Sequence, residues 1–127
     1  SVYILKTWCS VNYKIRKVSG KLSPKDMANI KSYIIDNIHR TIKLSELTLL
    51  TGLSEYHFIR LFKESTSYTP HQYVLHLRVE RAKELLKTTR LSLTEITYSL
   101  GFSDASHFSS VFKRWVGLAP SRYRNNS

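Results

Sequence analysis

One segment of this chain of 127 residues is written twice, and this repeat constrains the fold more than any other feature. The first copy runs from Leu44 to Tyr73 and the second from Leu93 to Tyr123. Matching residues are 49 positions apart up to the shared glycine, and 50 apart from the shared His-Phe pair onward. The second copy therefore has one extra residue just before its second helix. Each copy has the pattern of a helix, a tight turn and a second helix.

In the first copy, leucines at helical spacing predict a short helix that ends at Gly52, which can adopt the positive φ of a tight turn. Ser54 follows and is a typical N-cap residue for the next helix. The apolar face of that second helix consists of Phe58, Leu61 and Phe62. We expect this helix-turn-helix to cover residues 44–66.

The second copy repeats this pattern with a stronger start signal. Ser92 and Glu95 have the S-x-x-E spacing of a capping box. The two helices are predicted over residues 93–100 and 104–116, within a helix-turn-helix that covers residues 92–116. The inward side chains of the second helix are Phe108, Val111, Phe112 and Trp115.

Two further helices are predicted outside the repeated pairs. The first begins at Ser23 and Pro24 and is expected to end near residues 39–41. Its apolar stripe consists of Met27, Ile30, Ile34 and Ile38. The second is a linker helix over residues 70–87. No segment after residue 22 has the pattern of a strand, so residues 22–127 are predicted to form an all-α domain with two helix-turn-helix subdomains joined by a long linker helix.

Residues 1–21 are predicted to form a separate N-terminal segment. The first 20 residues mix β-branched and aromatic residues with lysine and arginine and have no acidic residue. A short strand pair, the remnant of an upstream domain and a basic arm are all compatible with this composition. The chain begins at Ser1 rather than at methionine, so we expect it to be a fragment of a longer protein.

The formal net charge of +11 favours a polyanionic partner, either nucleic acid or an anionic membrane surface. No apolar run approaches the roughly 20 residues that cross a bilayer, so no membrane-spanning segment is expected. The expected partner is nucleic acid and not a membrane. Cys9 is the single cysteine, which excludes an intrachain disulfide and fits a cytoplasmic protein. Charge alone leaves open a generally basic surface without a specific ligand.

The repeat favours double-stranded DNA, because a helix-turn-helix places its second helix in the major groove. On the first candidate recognition helix, the outward residues include Tyr56, Ile59 and Arg60. Arg60 is expected to contact guanine through two hydrogen bonds, and Tyr56 or Ile59 to pack against a thymine methyl group. On the second helix, Ser106 and Ser110 are outward, and His107 lies at the border of the apolar face.

Other residues are expected to contact the DNA backbone. Lys63, Lys113 and Arg114 lie a turn or more further along the two helices, where phosphate is the expected partner. Ser54 and Ser103, at the starts of the two helices, are further expected backbone contacts.

Catalytic residues, metal ligands and cofactors are not expected. The five histidines lack the i, i+4 spacing of a helical zinc site, and no glycine-rich phosphate loop is present. His71 and His76, for example, are five residues apart. An enzyme is therefore not predicted.

The repeated residues resemble the AraC/XylS family of transcription regulators. The segments that follow the family signature are Leu93-Thr94-Glu95-Ile96, Gly101-Phe102-Ser103-Asp104, Ser106-His107-Phe108, Phe112-Lys113-Arg114, Gly117 and Pro120-Ser121-Arg122-Tyr123-Arg124. Arg78, Arg81-Ala82 and Leu85-Leu86 are similar to the family's linker helix. The resemblance covers residues 24–124.

The resemblance implies a seven-helix DNA-binding domain of a bacterial regulator, most often an activator that contacts RNA polymerase. It implies base-reading positions at Tyr56, Ile59 and Arg60 and, on the second helix, at Ser106, His107 and Ser110. We expect this fragment to be a monomer, because two repeats already give one chain two contacts; the full-length protein would be able to dimerise through an upstream domain.

Two departures from the repeat are informative. Ser67 stands where the second copy has Gly117, so a positive φ there would strain the serine. Lys43 stands where the second copy has the capping Ser92. Because the second recognition helix has short serine and alanine side chains, the first is expected to carry more of the base discrimination.

Two other functions remain open at this level. A helical protein-interaction module could use the basic face to bind an acidic protein partner. General nucleic-acid or RNA binding could involve the basic residues 1–21. Sequence-specific binding to duplex DNA would favour the DNA-binding interpretation over both alternatives.

Overall fold

A computed structural model describes residues 20–126, and these residues fold into α-helices with no strand among them. The prediction of an all-α fold is confirmed. The helices within this range are α1 (Pro24–Asp36), α2 (Leu44–Thr51), α3 (Glu55–Thr66), α4 (Pro70–Thr88), α5 (Leu93–Ser99), α6 (Ala105–Val116) and α7 (Pro120–Asn125). The N-terminal segment over residues 1–21, predicted as a strand pair, the remnant of an upstream domain or a basic arm, lies outside the described residues up to residue 19.

The chain divides into two compact units. Of the described residues, the first unit consists of residues 20–30 and Leu44–Pro70, and the second consists of Lys31–Lys43 and residues 71–126. Each unit contains one complete helix-turn-helix: α2 and α3 in the first, and α5 and α6 in the second.

The first unit has a small apolar core between the start of α1, α2 and α3. Its fully or nearly fully buried hydrophobic side chains are Leu22, Ile30, Leu47, Phe58, Leu61 and Phe62. Phe58 and Phe62 stack with ring centroids 5.5 Å apart. The backbone amide of Leu22 donates to the Ser65 hydroxyl at 2.8 Å, which fixes the approach to α1 against the end of α3.

The second unit has a larger core, and the linker helix α4 is part of it. The buried cluster consists of Val79, Ala82, Leu86, Ile96, Leu100, Phe102, Phe108, Val111 and Phe112. The first three of these residues lie on α4, so the linker helix packs on the second helix-turn-helix instead of standing as a free strut. The sequence pattern alone suggested a helix that only joins two subdomains.

Side-chain caps begin several helices where the sequence predicted them. The Ser23 hydroxyl accepts from the Asp26 amide at 3.0 Å. The Ser92 hydroxyl accepts from the Glu95 amide at 3.0 Å, and the Glu95 carboxylate accepts from the Ser92 amide at 2.8 Å. This reciprocal capping box satisfies two amides that a helix start otherwise leaves unpaired. The hydrogen bonds from Ser92 lower the pKa of the Glu95 carboxyl.

The predicted strain at Ser67 is present. Ser67 ends α3 with φ 69°, and Gly117 ends α6 with φ 94° at the matching position of the repeat. The left-handed region costs a non-glycine residue roughly 1–2 kcal/mol. Ser67→Gly is therefore expected to raise the free energy of unfolding by about 1 kcal/mol, because the relief of strain exceeds the extra freedom of the unfolded chain.

Urea denaturation measures this change, and the reciprocal variant Gly117→Ser is the matched control. Gly117→Ser should lower the free energy of unfolding by a similar amount. A destabilised Ser67→Gly variant would contradict the strain at this position.

Helix α1 ends earlier than predicted, at Asp36 instead of near residues 39–41. The Asn37 side-chain amide donates to the Tyr33 carbonyl at 2.8 Å, and the Asn37 backbone amide donates to the same carbonyl at 3.1 Å. The amide of Ile38 bonds to Ile35 and that of Arg40 to Asn37, both three residues back. The chain tightens into turns there, and Ile38 still packs against the core of the second unit.

A buried arginine holds the turn of the second helix-turn-helix. Arg78 on α4 is 9% exposed, and its Nη2 donates to the Arg40 carbonyl at 2.8 Å. Its guanidinium lies 5.6 Å from the centroid of the Phe102 ring, and burial lowers the pKa of Arg78. A Cβ at Gly101 would come within 2.9 Å of both Arg78 Nη2 and the Ile38 carbonyl oxygen. The turn glycine is thus required for space as well as for its φ of +81°.

Candidate nucleic-acid interface

The second helices of the two repeats bury matching faces. On α3 the buried residues are Phe58, Leu61 and Phe62, and on α6 they are Phe108, Val111 and Phe112. Each set has the helical spacing that was read from the sequence, and the two sets are 50 positions apart. The opposite faces of both helices are free for a ligand.

The free face of α3 presents one large aromatic, one aliphatic and one cationic side chain. Tyr56 is 70% exposed and Ile59 is 38% exposed. Arg60 is also exposed. Large apolar side chains at the surface are more informative than exposed charged ones, because water does not favour their exposure. We call these three residues the α3 face.

The start of α3 is a hydrogen-bonded cap that orients a histidine. The Ser54 hydroxyl accepts from the His57 backbone amide at 3.3 Å and lies 3.0 Å from His57 Nδ1. When the hydroxyl donates to Nδ1, the neutral ring carries its proton on Nε2 and can act as a donor there. The Tyr56 ring meets the His57 ring edge-on, with centroids 5.7 Å apart.

The free face of α6 carries shorter side chains. Ser106, His107 and Ser110 are all exposed, so the three predicted base-reading positions share a solvent-facing side of the helix. The His107 ring packs edge-on against Phe102 at 5.4 Å between centroids. This contact anchors one side of the imidazole, as expected from its position at the border of the apolar face.

The cap of α6 differs in charge from that of α3. Asp104 is the N-cap, and its carboxylate accepts from the His107 amide at 2.7 Å. Asp104 is therefore the structural counterpart of Ser54, and Ser103 lies one residue before it. The sequence predicts Ser54 and Ser103 as equivalent contacts to the DNA backbone. A carboxylate repels phosphate, so the start of α6 is less suited to an anion than the start of α3, where the cap is a neutral serine.

The predicted phosphate contacts are all accessible. Lys63 on α3 and Lys113 and Arg114 on α6 are exposed and lie in the second half of their helices. Ser54 and Ser103 are exposed as well. Long cationic side chains in these positions can reach a polyanion at the flank of each helix.

Within residues 20–126, no three His, Cys, Asp or Glu residues lie close enough together to hold a metal ion. In the same part of the chain, no helix has the length and apolar character to cross a membrane.

Comparison with known proteins identifies the family to which this chain belongs. A model described as a helix-turn-helix domain matches residues 47–126, which include α3 to α7. The solved DNA-binding domain of AdpA, a global transcriptional factor in complex with a target DNA, is similar in fold. It has a TM-score of 0.73 and 26% identity over 80% of this chain and 91% of that chain. The chain belongs to the AraC/XylS family of helix-turn-helix regulators.

Other relatives agree with this assignment. An AraC-type DNA-binding domain protein from Chromobacterium violaceum has a TM-score of 0.75 and 30% identity, covering 80% of this chain and 90% of that one. The probable transcriptional regulator LumQ of Photobacterium leiognathi is 36% identical over 82% of this chain. The MmsAB operon regulatory protein of Pseudomonas aeruginosa is 33% identical over 78% of this chain. The chain spans only 42% and 32% of the lengths of these two relatives.

The family resemblance read from the sequence is confirmed, and the matched region is the DNA-binding domain of AraC/XylS-type regulators. Three residues with structural roles were not recognised from the sequence. Arg124 on α7 donates to the Leu86 and Thr89 carbonyls at the end of α4. The sequence identified Arg78 and Arg124 only as parts of the family signature, and Asp104 only as the start of a helix. Their roles depend on carbonyl and amide partners that no periodicity identifies.

Proposed function

We propose that this domain binds double-stranded DNA of defined sequence, with α3 and α6 in adjacent major grooves. The observation that supports this proposal is the matched exposure of the two helices: each buries an aromatic face in its own unit and leaves the opposite face to solvent. A major groove accepts one α-helix, and outward side chains reach base edges there. The net charge of +11 favours the approach to a polyanion.

The two helices would contribute unequally to sequence preference. The α3 face offers Arg60, whose guanidinium can make two hydrogen bonds to guanine, and Tyr56 and Ile59, which can contact a thymine methyl group. On α6, Ser106, His107 and Ser110 have shorter reach and fewer donors. The first helix-turn-helix then provides most of the discrimination, and the second provides affinity and a smaller number of base contacts.

Selection of bound duplexes from a random pool tests this function. We expect one asymmetric site that a single chain binds. The site should cover more base pairs than one recognition helix can contact. Enrichment of no sequence, with equal affinity for all duplexes, would remove the specific part of the proposal. Binding to an acidic protein without any DNA preference would favour the protein-interaction alternative.

Lys113→Ala separates backbone contacts from base contacts. Because phosphate carries no sequence information, the variant should weaken binding to selected and random duplexes by the same factor. The slope of log affinity against log salt should become shallower by about one. Fluorescence anisotropy at several salt concentrations measures both quantities. A loss confined to the selected duplex would contradict the phosphate assignment and indicate a base contact instead.

The same proposal includes a role in transcription. Family membership supports activation through contact with RNA polymerase, in the cytoplasm of a bacterial cell. In vitro transcription from a promoter that carries the selected site would rise on addition of the full-length protein if it is an activator, and fall if it is a repressor. We propose that the domain itself is monomeric, which the mass of the DNA complex would test.

A further inference from the structure

A small basic pocket lies in the second unit, away from the recognition helix. It has a volume of about 400 Å³, and the residues that line it are Leu86, Lys87, Thr89, Arg90 and Arg124. Three of these five residues are cationic, and no acidic residue lines the pocket. Among the described residues, none of the three cations forms an ion pair with a carboxylate. The pocket therefore concentrates positive charge that no carboxylate of the described residues pairs with.

Two of the three cations are held in place. Arg124 on α7 donates from Nε to the Leu86 carbonyl at 3.1 Å and from Nη2 to the Thr89 carbonyl at 3.3 Å. Lys87 Nζ lies 5.1 Å from the centroid of the Tyr123 ring. Cations at the carboxyl end of α4 also complement the helix dipole. An anion that enters the pocket meets positioned charges, so it loses less entropy in ordering them.

The third cation has no such structural role. Arg90 is exposed and lies beyond the end of α4, two residues before Ser92, which caps α5. Helix α5 is the first helix of the second helix-turn-helix. In helix-turn-helix proteins the first helix crosses the DNA backbone while the second enters the groove. Arg90 and the pocket thus lie beside the start of the helix that is expected to pass over phosphates.

We propose that this pocket binds one phosphate of the DNA backbone and anchors the second helix-turn-helix independently of sequence. The inference rests on the proposed DNA-binding function and adds a contact outside both recognition helices. The Asp104 carboxylate disfavours a phosphate at the start of α6. The α4–α5 junction adds a backbone contact to the second unit through Lys87, Arg90 and Arg124, beside the contacts proposed for Lys113 and Arg114.

Two double variants, each of which loses two positive charges, test this proposal. The variant Lys87→Gln/Arg90→Gln removes two positive charges from the pocket. The control Arg81→Gln/Lys83→Gln removes two from the same region of α4, where these residues pair with Glu84 and Glu80 and do not line the pocket. Arg124 is left intact because its carbonyl contacts stabilise the end of α4. Circular dichroism verifies that both variants are folded.

We expect the pocket variant to bind selected and random duplexes about tenfold more weakly, with a salt slope shallower by about one, and the control to change affinity much less. Equal losses in the two variants would overturn the proposal, because general charge would then explain both. An unchanged affinity of the pocket variant would overturn it too.

Neutral methylphosphonate linkages, placed one at a time along the selected duplex, locate the contact. At one position the neutral linkage should weaken the wild-type protein but not the pocket variant. If the wild-type protein binds and no position shows this coupling, the pocket inference fails and the proposed function stands. If the wild-type protein binds no duplex, the proposed function itself fails. NMR titration with inorganic phosphate distinguishes a free-anion site: saturation by phosphate without any methylphosphonate coupling would contradict a DNA backbone ligand.

Discussion

Arg60→Ala is expected to weaken binding to the selected duplex by about 5- to 150-fold, the equivalent of roughly 1–3 kcal/mol. Arg60 is the one exposed cation on the α3 face, and its guanidinium can pair with two acceptors of a guanine at once. The lost affinity should concern one base pair. The wild-type protein should bind duplexes altered at that position poorly. The variant should bind those duplexes and the selected duplex with equal affinity. Competition anisotropy with single-substitution duplexes measures this.

Two control variants separate the effect of the guanidinium shape on base preference from the effect of its positive charge on affinity. Arg60→Lys keeps the positive charge but loses the planar fork, so it should lose most of the base preference while retaining the salt slope. Lys63→Ala, further along α3, should weaken all duplexes alike. If Arg60→Ala lowered affinity for every duplex by one factor, Arg60 would be a phosphate contact and the base-reading assignment would be wrong.

Phe112→Ala is expected to lower the free energy of unfolding by about 3–5 kcal/mol, a large share of the stability of a small domain. Phe112 is fully buried at 0% exposure. Its ring meets Phe108 at 5.8 Å and Tyr123 at 5.4 Å between centroids. Truncation removes apolar contacts and leaves a cavity between α6 and α7, which the rigid neighbours cannot fill. Urea denaturation followed by circular dichroism gives the free energy.

Ser110→Ala is the control on the opposite face of the same helix. Ser110 is exposed, so its truncation should change stability by less than about 0.5 kcal/mol. Its effect, if any, should appear in DNA affinity. A loss below about 1 kcal/mol for Phe112→Ala would contradict the packing of α6, because a residue in that core cannot be removed at so small a cost.

The sequence predicted those parts of the fold that depend on local patterns. The repeat located both helix-turn-helix pairs, and the spacing of Phe58, Leu61 and Phe62 identified the buried side of α3 and so its exposed side. The Ser92 and Glu95 capping box was also predicted correctly, because it depends on residue types at one helix end. The comparison of Ser67 with Gly117 identified a position where a positive φ would strain the serine, and the structure has that φ.

Features that depend on tertiary contacts could not be predicted in this way. Helix α1 ends at Asp36 although its apolar stripe continues to Ile38, and the amides of Ile38 and Arg40 bond three residues back. The burial of Arg78 depends on the Arg40 carbonyl and the Phe102 ring, which are distant in sequence. The basic pocket is formed by residues from α4, its following turn and α7, which periodicity treats separately. The assignment of the linker helix to the core of the second unit also required the structure.

We propose that one chain places α3 and α6 in neighbouring major grooves of the same duplex. Protection of guanine N7 from dimethyl sulfate tests it directly, because N7 faces the major groove. On the selected duplex, with one chain bound, we expect two protected clusters about 10 base pairs apart, and Arg60→Ala should remove protection in only one of them. A single protected cluster, or two clusters that appear only when two chains are bound, would contradict the claim.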